Sequence, residues 1–105
     1  MDQFQFLGFE PTELVRTRAA RLLSRLLEAA PSDAVLTAVL EWDGLLYHCE
    51  VEIGSRVYPI AVSKSHRNPA LALDKAELAL RRALERRGCR WSEPRGVSSL
   101  QTGAR

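Results

Sequence analysis

Residues 58–88 read YPIAVSKSHRNPALALDKAELALRRALERRG, and this stretch decides the fold: a short strand, a basic loop and a long basic helix. Asn68 is a good N-cap, because its side-chain oxygen can accept from the first free amides of a helix. Pro69 suits the first helical position, where no amide hydrogen is needed, and Gly88 suits a left-handed stop. Between them Ala72, Leu73, Ala76, Leu80, Ala83 and Leu84 recur at spacings of three and four, an apolar stripe wide enough to cover a sheet. Small residues alternate with leucine there, so the helix can sit close to what it covers. Lys75, Arg82 and Arg86 project from the opposite side, Arg81 and Arg87 flank the stripe, and Arg90 lies just past the end.

Working upstream, residues 34–42, 45–53 and 56–63 read as three strands joined by two tight hairpins. Asp43-Gly44 is a strong signal for a two-residue type I′ turn and Gly54-Ser55 a fair one for type II′. Such turns set Trp42 opposite Leu45, Leu40 opposite Tyr47, Ala38 opposite Cys49 and Leu36 opposite Val51, all apolar pairs. In the second hairpin they set Tyr58 opposite Val51, Ile60 opposite Cys49 and Val62 opposite Tyr47. One sheet face is then continuously hydrophobic. The other, with Val35, Thr37, Val39, Glu41, Leu46, His48, Glu50, Glu52 and Val57, is mixed and acidic, as expected of an antiparallel sheet with one side in water. Pro59 cannot donate to a ladder, which makes the last strand an edge.

At the N-terminus, Phe4 and Phe6 alternate with Gln3 and Gln5 in a short strand ending at Gly8. A helix follows, with Thr12 as N-cap and Glu13 favourably placed for the helix dipole, running to about Ala30 and stopping at Pro31. Val15, Ala19, Leu22, Leu23, Leu26 and Leu27 form its core face, and Arg18, Arg21 and Arg25 a second stripe beside it. The element order is therefore β-α-β-β-β-α: an α/β (α+β) two-layer sandwich with both helices on one face of a four-stranded sheet. Residues 1–88 make the domain. Residues 89–105, rich in Ser, Gly, Pro and Arg without periodicity, make a flexible tail, from which Trp91 could dock against the fold.

The chain of 105 residues, 46% hydrophobic and 27% charged, has the make-up of a soluble globular domain that needs neither disulfide nor metal to hold a core. No apolar run approaches membrane-spanning length and no basic segment precedes a hydrophobic one, so the expected address is cytoplasmic, without membrane contact. The net charge of +2 conceals a division. Residues 1–52 carry four Arg against nine Asp and Glu, residues 53–105 eleven Lys and Arg against four acids. Cations so concentrated suit a polyanion, although the same row also suits a solvated helix face. Lys64 and Lys75 are the only lysines; guanidinium, which pairs with phosphate bidentately and stacks on bases, fits RNA contact.

Cys49 reads as a small core hydrophobe and Cys89 follows the last helix; no ligand-spaced cluster exists, so no cofactor or metal is expected. An enzyme is the least supported class. His48 reads as a surface strand residue and His66 as a loop residue, with no nucleophile or carboxylate at an informative spacing from either, and no glycine-rich phosphate loop is present.

With this order of elements, the sequence resembles the hibernation-promoting factor and ribosome-associated inhibitor (sigma-54 modulation protein) family over about residues 3–88. The resemblance lies in the strand ending at Gly8 before Thr12-Glu13-Leu14, the hairpin strands, Pro59-Ile60-Ala61-Val62, and above all Ala72-Leu73-Asp74 followed by Leu80-Arg81-Arg82-Ala83-Leu84. It implies a short-form, non-enzymatic protein that binds the small ribosomal subunit between head and body, in the channel of messenger and transfer RNA, and silences ribosomes in stationary phase or stress. Neither DNA nor a membrane is an expected partner, and the chain is expected to be monomeric. The positions matching the family's basic helix faces are Arg18, Arg21 and Arg25 on the first helix and Lys75, Arg82 and Arg86 on the last, with Lys64, His66 and Arg67 in the loop before it as additions. Two other readings stay open: a double-stranded-RNA-binding-like domain, which shares an α-β-β-β-α core but expects a Gly-rich stretch before its second helix, and a protein-interaction module using Val35, Val39, Leu46 and Val57 on the outer sheet face.

Overall fold

The computed structural model describes residues 4–57, 59–89 and 91. Six elements follow in the expected order: β1 (Phe4–Leu7), α1 (Glu13–Ala29), β2 (Val35–Trp42), β3 (Tyr47–Gly54), β4 (Ile60–His66) and α2 (Pro69–Arg86). The strands form one mixed sheet in the order β1-β2-β3-β4, with β1 parallel to β2 and the other pairs antiparallel. Both helices lie on one face, making two layers around a single core, and β4 is an edge strand.

The helix boundaries are set by the chemistry that the sequence announces. The Thr12 hydroxyl accepts from the Val15 amide at 3.2 Å, and Asn68 Oδ1 accepts from the Ala70 amide at 2.8 Å and the Leu71 amide at 3.4 Å. At the far end of α2, Gly88 has φ of 84°. The Cys89 amide reaches back to the Leu84 carbonyl and the Gly88 amide to that of Glu85, each at 3.0 Å, the paired closure of a Schellman stop. Of the expected core faces, Val15, Ala19, Leu22, Leu26, Ala72, Leu73, Ala76, Leu80 and Leu84 are buried, whereas Leu23 and Ala83 are half-buried and Leu27 is exposed. Trp91 is buried in the same core, beyond the end of α2. The remainder of the expected tail, residues 92–105, and Arg90 lie outside the described residues.

The hairpin registers differ from expectation. Trp42 pairs with Tyr47, Leu40 with Cys49, Ala38 with Val51 and Leu36 with Ile53, a shift of two positions. A type I′ turn would need Asp43 at positive φ, and no described non-glycine residue has one. The chain instead makes a longer turn, in which Asp43 Oδ1 accepts from the amides of Leu45 and Leu46, each at 2.8 Å. In the second hairpin the shift is four: Ile53 pairs with Ile60, Val51 with Val62, Cys49 with Lys64 and Tyr47 with His66. Gly54 is not among the positive-φ glycines, which excludes the II′ turn. The Asp33 carboxylate accepts from the Ser55 hydroxyl at 2.8 Å and the Arg56 amide at 2.9 Å, tying the wider loop to the start of β2. Tyr58, expected opposite Val51, lies outside the described residues.

Both shifts are even, and a strand alternates faces with period two, so the same residues still point inward. At one end of the sheet, Phe6 meets Phe9 edge-on, Phe9 meets Tyr47 likewise at 4.9 Å between centroids, and Tyr47 packs on Trp42 at 4.5 Å.

Candidate nucleic-acid interface

Two helices side by side on a sheet leave three places for cations on the helix side: the seam between the helices, the outer flank of α2, and the end of β4. The nine candidate residues divide among all three rather than forming one array.

Arg18, Arg21 and Arg25 lie one turn apart along α1 and face α2 across the seam, where they line a shallow cleft of about 220 Å³ with Asp74 and Glu77. Arg18 Nη1 donates to Asp74 Oδ2 at 2.9 Å, and Arg25 Nη1 to Glu77 Oε2. These pairs differ in depth. The Arg25 side chain is 14% exposed and that of Arg18 is 38% exposed, so Arg25 serves to join the helices while Arg18 keeps part of its guanidinium in solvent. Arg21 is exposed and has no ion-pair partner among the described residues. Of the three arginines expected in one stripe on α1, Arg18 and Arg25 are thus engaged with carboxylates of α2, and Arg21 stands between them. The helical period shows only that Asp74 and Glu77, three apart, share one flank of α2 beside its apolar stripe; that this flank faces the α1 arginines is set by the tertiary structure.

Lys75, Arg82 and Arg86 follow each other at spacings of seven and four, which places them in one row on the other side of α2. All three are exposed, and none has an ion-pair partner among the described residues. Arg86, with Arg87 and Ala83, borders a surface groove against Pro59, Ile60 and Ala61 at the β4 edge. Arg81 stands on the seam side with Asp74, Glu77 and Leu78 and donates to Glu85 at 3.3 Å.

Lys64 and His66 belong to β4, not to a loop, because the second hairpin register carries that strand to residue 66. Lys64 pairs with the inward-facing Cys49, so its exposed side chain leaves the sheet on the helix side. Only Arg67 and the capping Asn68 connect strand to helix. His66 is half-buried and its Nδ1 accepts from the Asn68 amide at 2.9 Å, so it helps to shape the entry into α2.

The outer sheet face carries the opposite sign. Glu41, Glu50 and Glu52 are exposed there. Of the apolar residues expected on it, Val35 is 66% exposed and Val39 half-buried, while Leu46 falls in the β2–β3 turn and Val57 in the β3–β4 loop. Also on this face, His48 Nδ1 lies 2.6 Å from Ser65 Oγ and Nε2 2.5 Å from Asp43 Oδ2. The expected register placed Ala61 rather than Ser65 opposite His48 and so concealed this group, which fastens the β2–β3 turn to the edge strand. Asp43 is held well below the usual carboxylate range, at about 2, first by the Leu46 amide and then by His48 and the Leu45 amide. Burial raises the Cys49 thiol to about 12, with Glu50 adding to the effect.

Among the described residues no group of three or more His, Cys, Asp or Glu is placed to hold a metal ion, and no helix is long and apolar enough to cross a membrane. No protein-family model matches the sequence, and no curated protein matches it. Solved structures do. The N-terminal domain of Protein Y from Thermus thermophilus superposes with a TM-score of 0.63 at 19% identity, over 79% of this chain and 93% of that one. A ribosomal subunit interface protein from Coxiella burnetii superposes with a TM-score of 0.65 at 12% identity, over 82% of this chain and 94% of the other. The chain therefore has the fold of the Protein Y N-terminal domain and of the ribosomal subunit interface protein, the architecture that its sequence resemblance implied.

Proposed function

We propose that this protein is a ribosome-binding factor that attaches to ribosomal RNA of the small subunit through the helix side and so keeps the ribosome inactive. In this reading it is a binding protein, not an enzyme, and acts in the cytoplasm as a monomer in the channel of messenger and transfer RNA. The observation that carries it is the row Lys75, Arg82 and Arg86: cations on the open flank of α2 without carboxylate partners among the described residues. An uncompensated row of this kind gains free energy from phosphates by releasing their counterions, which carboxylate-paired cations do much less. Arg21, the exposed part of Arg18, Lys64 and Arg67 would extend the contact. Two more supports are the fold shared with a ribosomal subunit interface protein and the acidic outer sheet face, which turns away from RNA when the helices turn toward it.

The test is co-sedimentation with purified small subunits. The double variant Arg82→Glu, Arg86→Glu, whose sites are exposed and outside the core, should lose pelleting while its circular dichroism spectrum is retained. Pelleting equal to that of the unaltered protein would remove the proposed surface. Binding should also weaken steeply with added salt, whereas docking through the sheet face would change little.

A further inference from the structure

The helix side carries two basic surfaces of different character. The outer row of α2 is uncompensated among the described residues, while the seam holds Arg18, Arg21, Arg25 and Arg81 against Asp74, Glu77 and Glu85, all within two adjoining clefts or one turn of them. A site that only had to attract polyanions would be weakened by those acids, since a carboxylate beside an arginine repels the incoming phosphate and occupies one of its donors. Resting on the ribosomal RNA reading above, we infer that Asp74 and Glu77 are specificity-determining residues: they make the seam reject loosely held polyanions and accept RNA whose fold presents a phosphate to Arg21.

The geometry supports a filter in three ways. First, each acid engages only Nη1 of its arginine, so the remaining N–H donors of Arg18 stay available at the surface from a guanidinium held in a defined place. Second, the partnered arginines flank Arg21 one turn before and one turn after it, so an exposed cation without an ion-pair partner among the described residues stands between two neutralised ones. A phosphate centred on Arg21 meets positive charge. A neighbouring phosphate displaced along the seam meets a carboxylate, at a cost in discrimination of the kind that like-charge juxtaposition provides. Third, the outer row has no such acids among the described residues, so general affinity and selectivity fall on different flanks of α2. A flexible single strand gains mainly from the row, and a rigid folded RNA gains from both.

Asp74→Asn is the informative change, because it removes the charge from the more exposed pair and leaves the half-buried Arg25–Glu77 pair intact. Dissociation constants would be measured for small ribosomal subunits and for oligouridine of about 20 nucleotides, a probe without fixed structure. The variant should bind oligouridine about fivefold more tightly, with the salt slope of log K steeper by about 0.7 for one more phosphate engaged. It should gain less on small subunits, so that selectivity between the two falls. Equal gains on both ligands, or no gain on oligouridine, would overturn the filter while leaving ribosome binding in place. Failure of the unaltered protein to bind small subunits would overturn the ribosomal reading itself.

Discussion

The guanidinium of Arg25 in α1 and the carboxylate of Glu77 in α2 form a salt bridge across the seam between the two helices, with 14% of the arginine side chain exposed. An arginine so covered and left without its partner stays in a poorly solvated place. Glu77→Ala should therefore destabilise the fold by about 1–3 kcal/mol, more than Asp74→Ala, whose partner Arg18 is open to solvent. A double-mutant cycle of Arg25→Ala and Glu77→Ala followed by urea denaturation checks this; coupling near zero would mean the pair joins nothing.

Gly8 turns the chain from β1 toward α1 at φ of 83°, and a Cβ placed there would stand 2.6 Å from the Trp42 carbonyl oxygen. Backbone strain and a contact with rigid backbone combine, so Gly8→Ala should cost about 1–3 kcal/mol. Gly44, also at positive φ, has open space around it, and Gly44→Ala should cost less. Paired urea denaturation curves rank the two, and an equal cost would discount the Trp42 contact.

Asp43 closes the β2–β3 turn with its carboxylate held at about 2, against 3.8 for an ordinary aspartate. A folded-state value below the unfolded one contributes stability that is present above the unfolded value and lost as pH falls through the folded value. Thermal midpoints of the native protein should thus drop between about pH 4 and pH 2, and Asp43→Asn should flatten that drop. Asp33 is lowered as well, by the Arg56 amide and the Ser55 hydroxyl, so some of the slope should survive in the variant. An unaltered slope would show that the turn hydrogen bonds do not persist in solution.

Cys49 is buried with its thiol pushed up to about 12, whereas Cys89 is half-buried beyond α2. Since the thiolate is the reactive form, iodoacetamide at neutral pH should modify Cys89 in the folded protein and Cys49 only after denaturant is added. Peptide mass spectrometry reads the order directly, and early labelling of Cys49 would contradict a closed core.

Much of the architecture was legible in the chain because its signals are local. Thr12, Asn68 and Gly88 cap or stop helices through atoms a few residues away, and the apolar stripe of α2 is a matter of spacing along one helix. Strand faces were legible for a related reason: alternation depends on parity alone, and the observed registers differ from the expected ones by two and four positions. Register itself was not legible, since Leu40 finds an apolar partner in either Tyr47 or Cys49, and the choice falls to the Asp43 and Asp33 carboxylates that set the turn lengths.

The positions of the basic residues in the chain were equally plain, and with the helical period they place Lys75, Arg82 and Arg86 in one row. Whether a cation is free or engaged was decided only by the tertiary structure. Arg18 meets Asp74 across 56 residues of sequence and Arg25 meets Glu77 across 52, and no periodicity within one helix specifies how a second helix will be set against it. Packing both helices on one sheet face brings those carboxylates to the α1 arginines and leaves the far flank of α2 uncompensated among the described residues, because a salt bridge forms between side chains that the fold brings within reach.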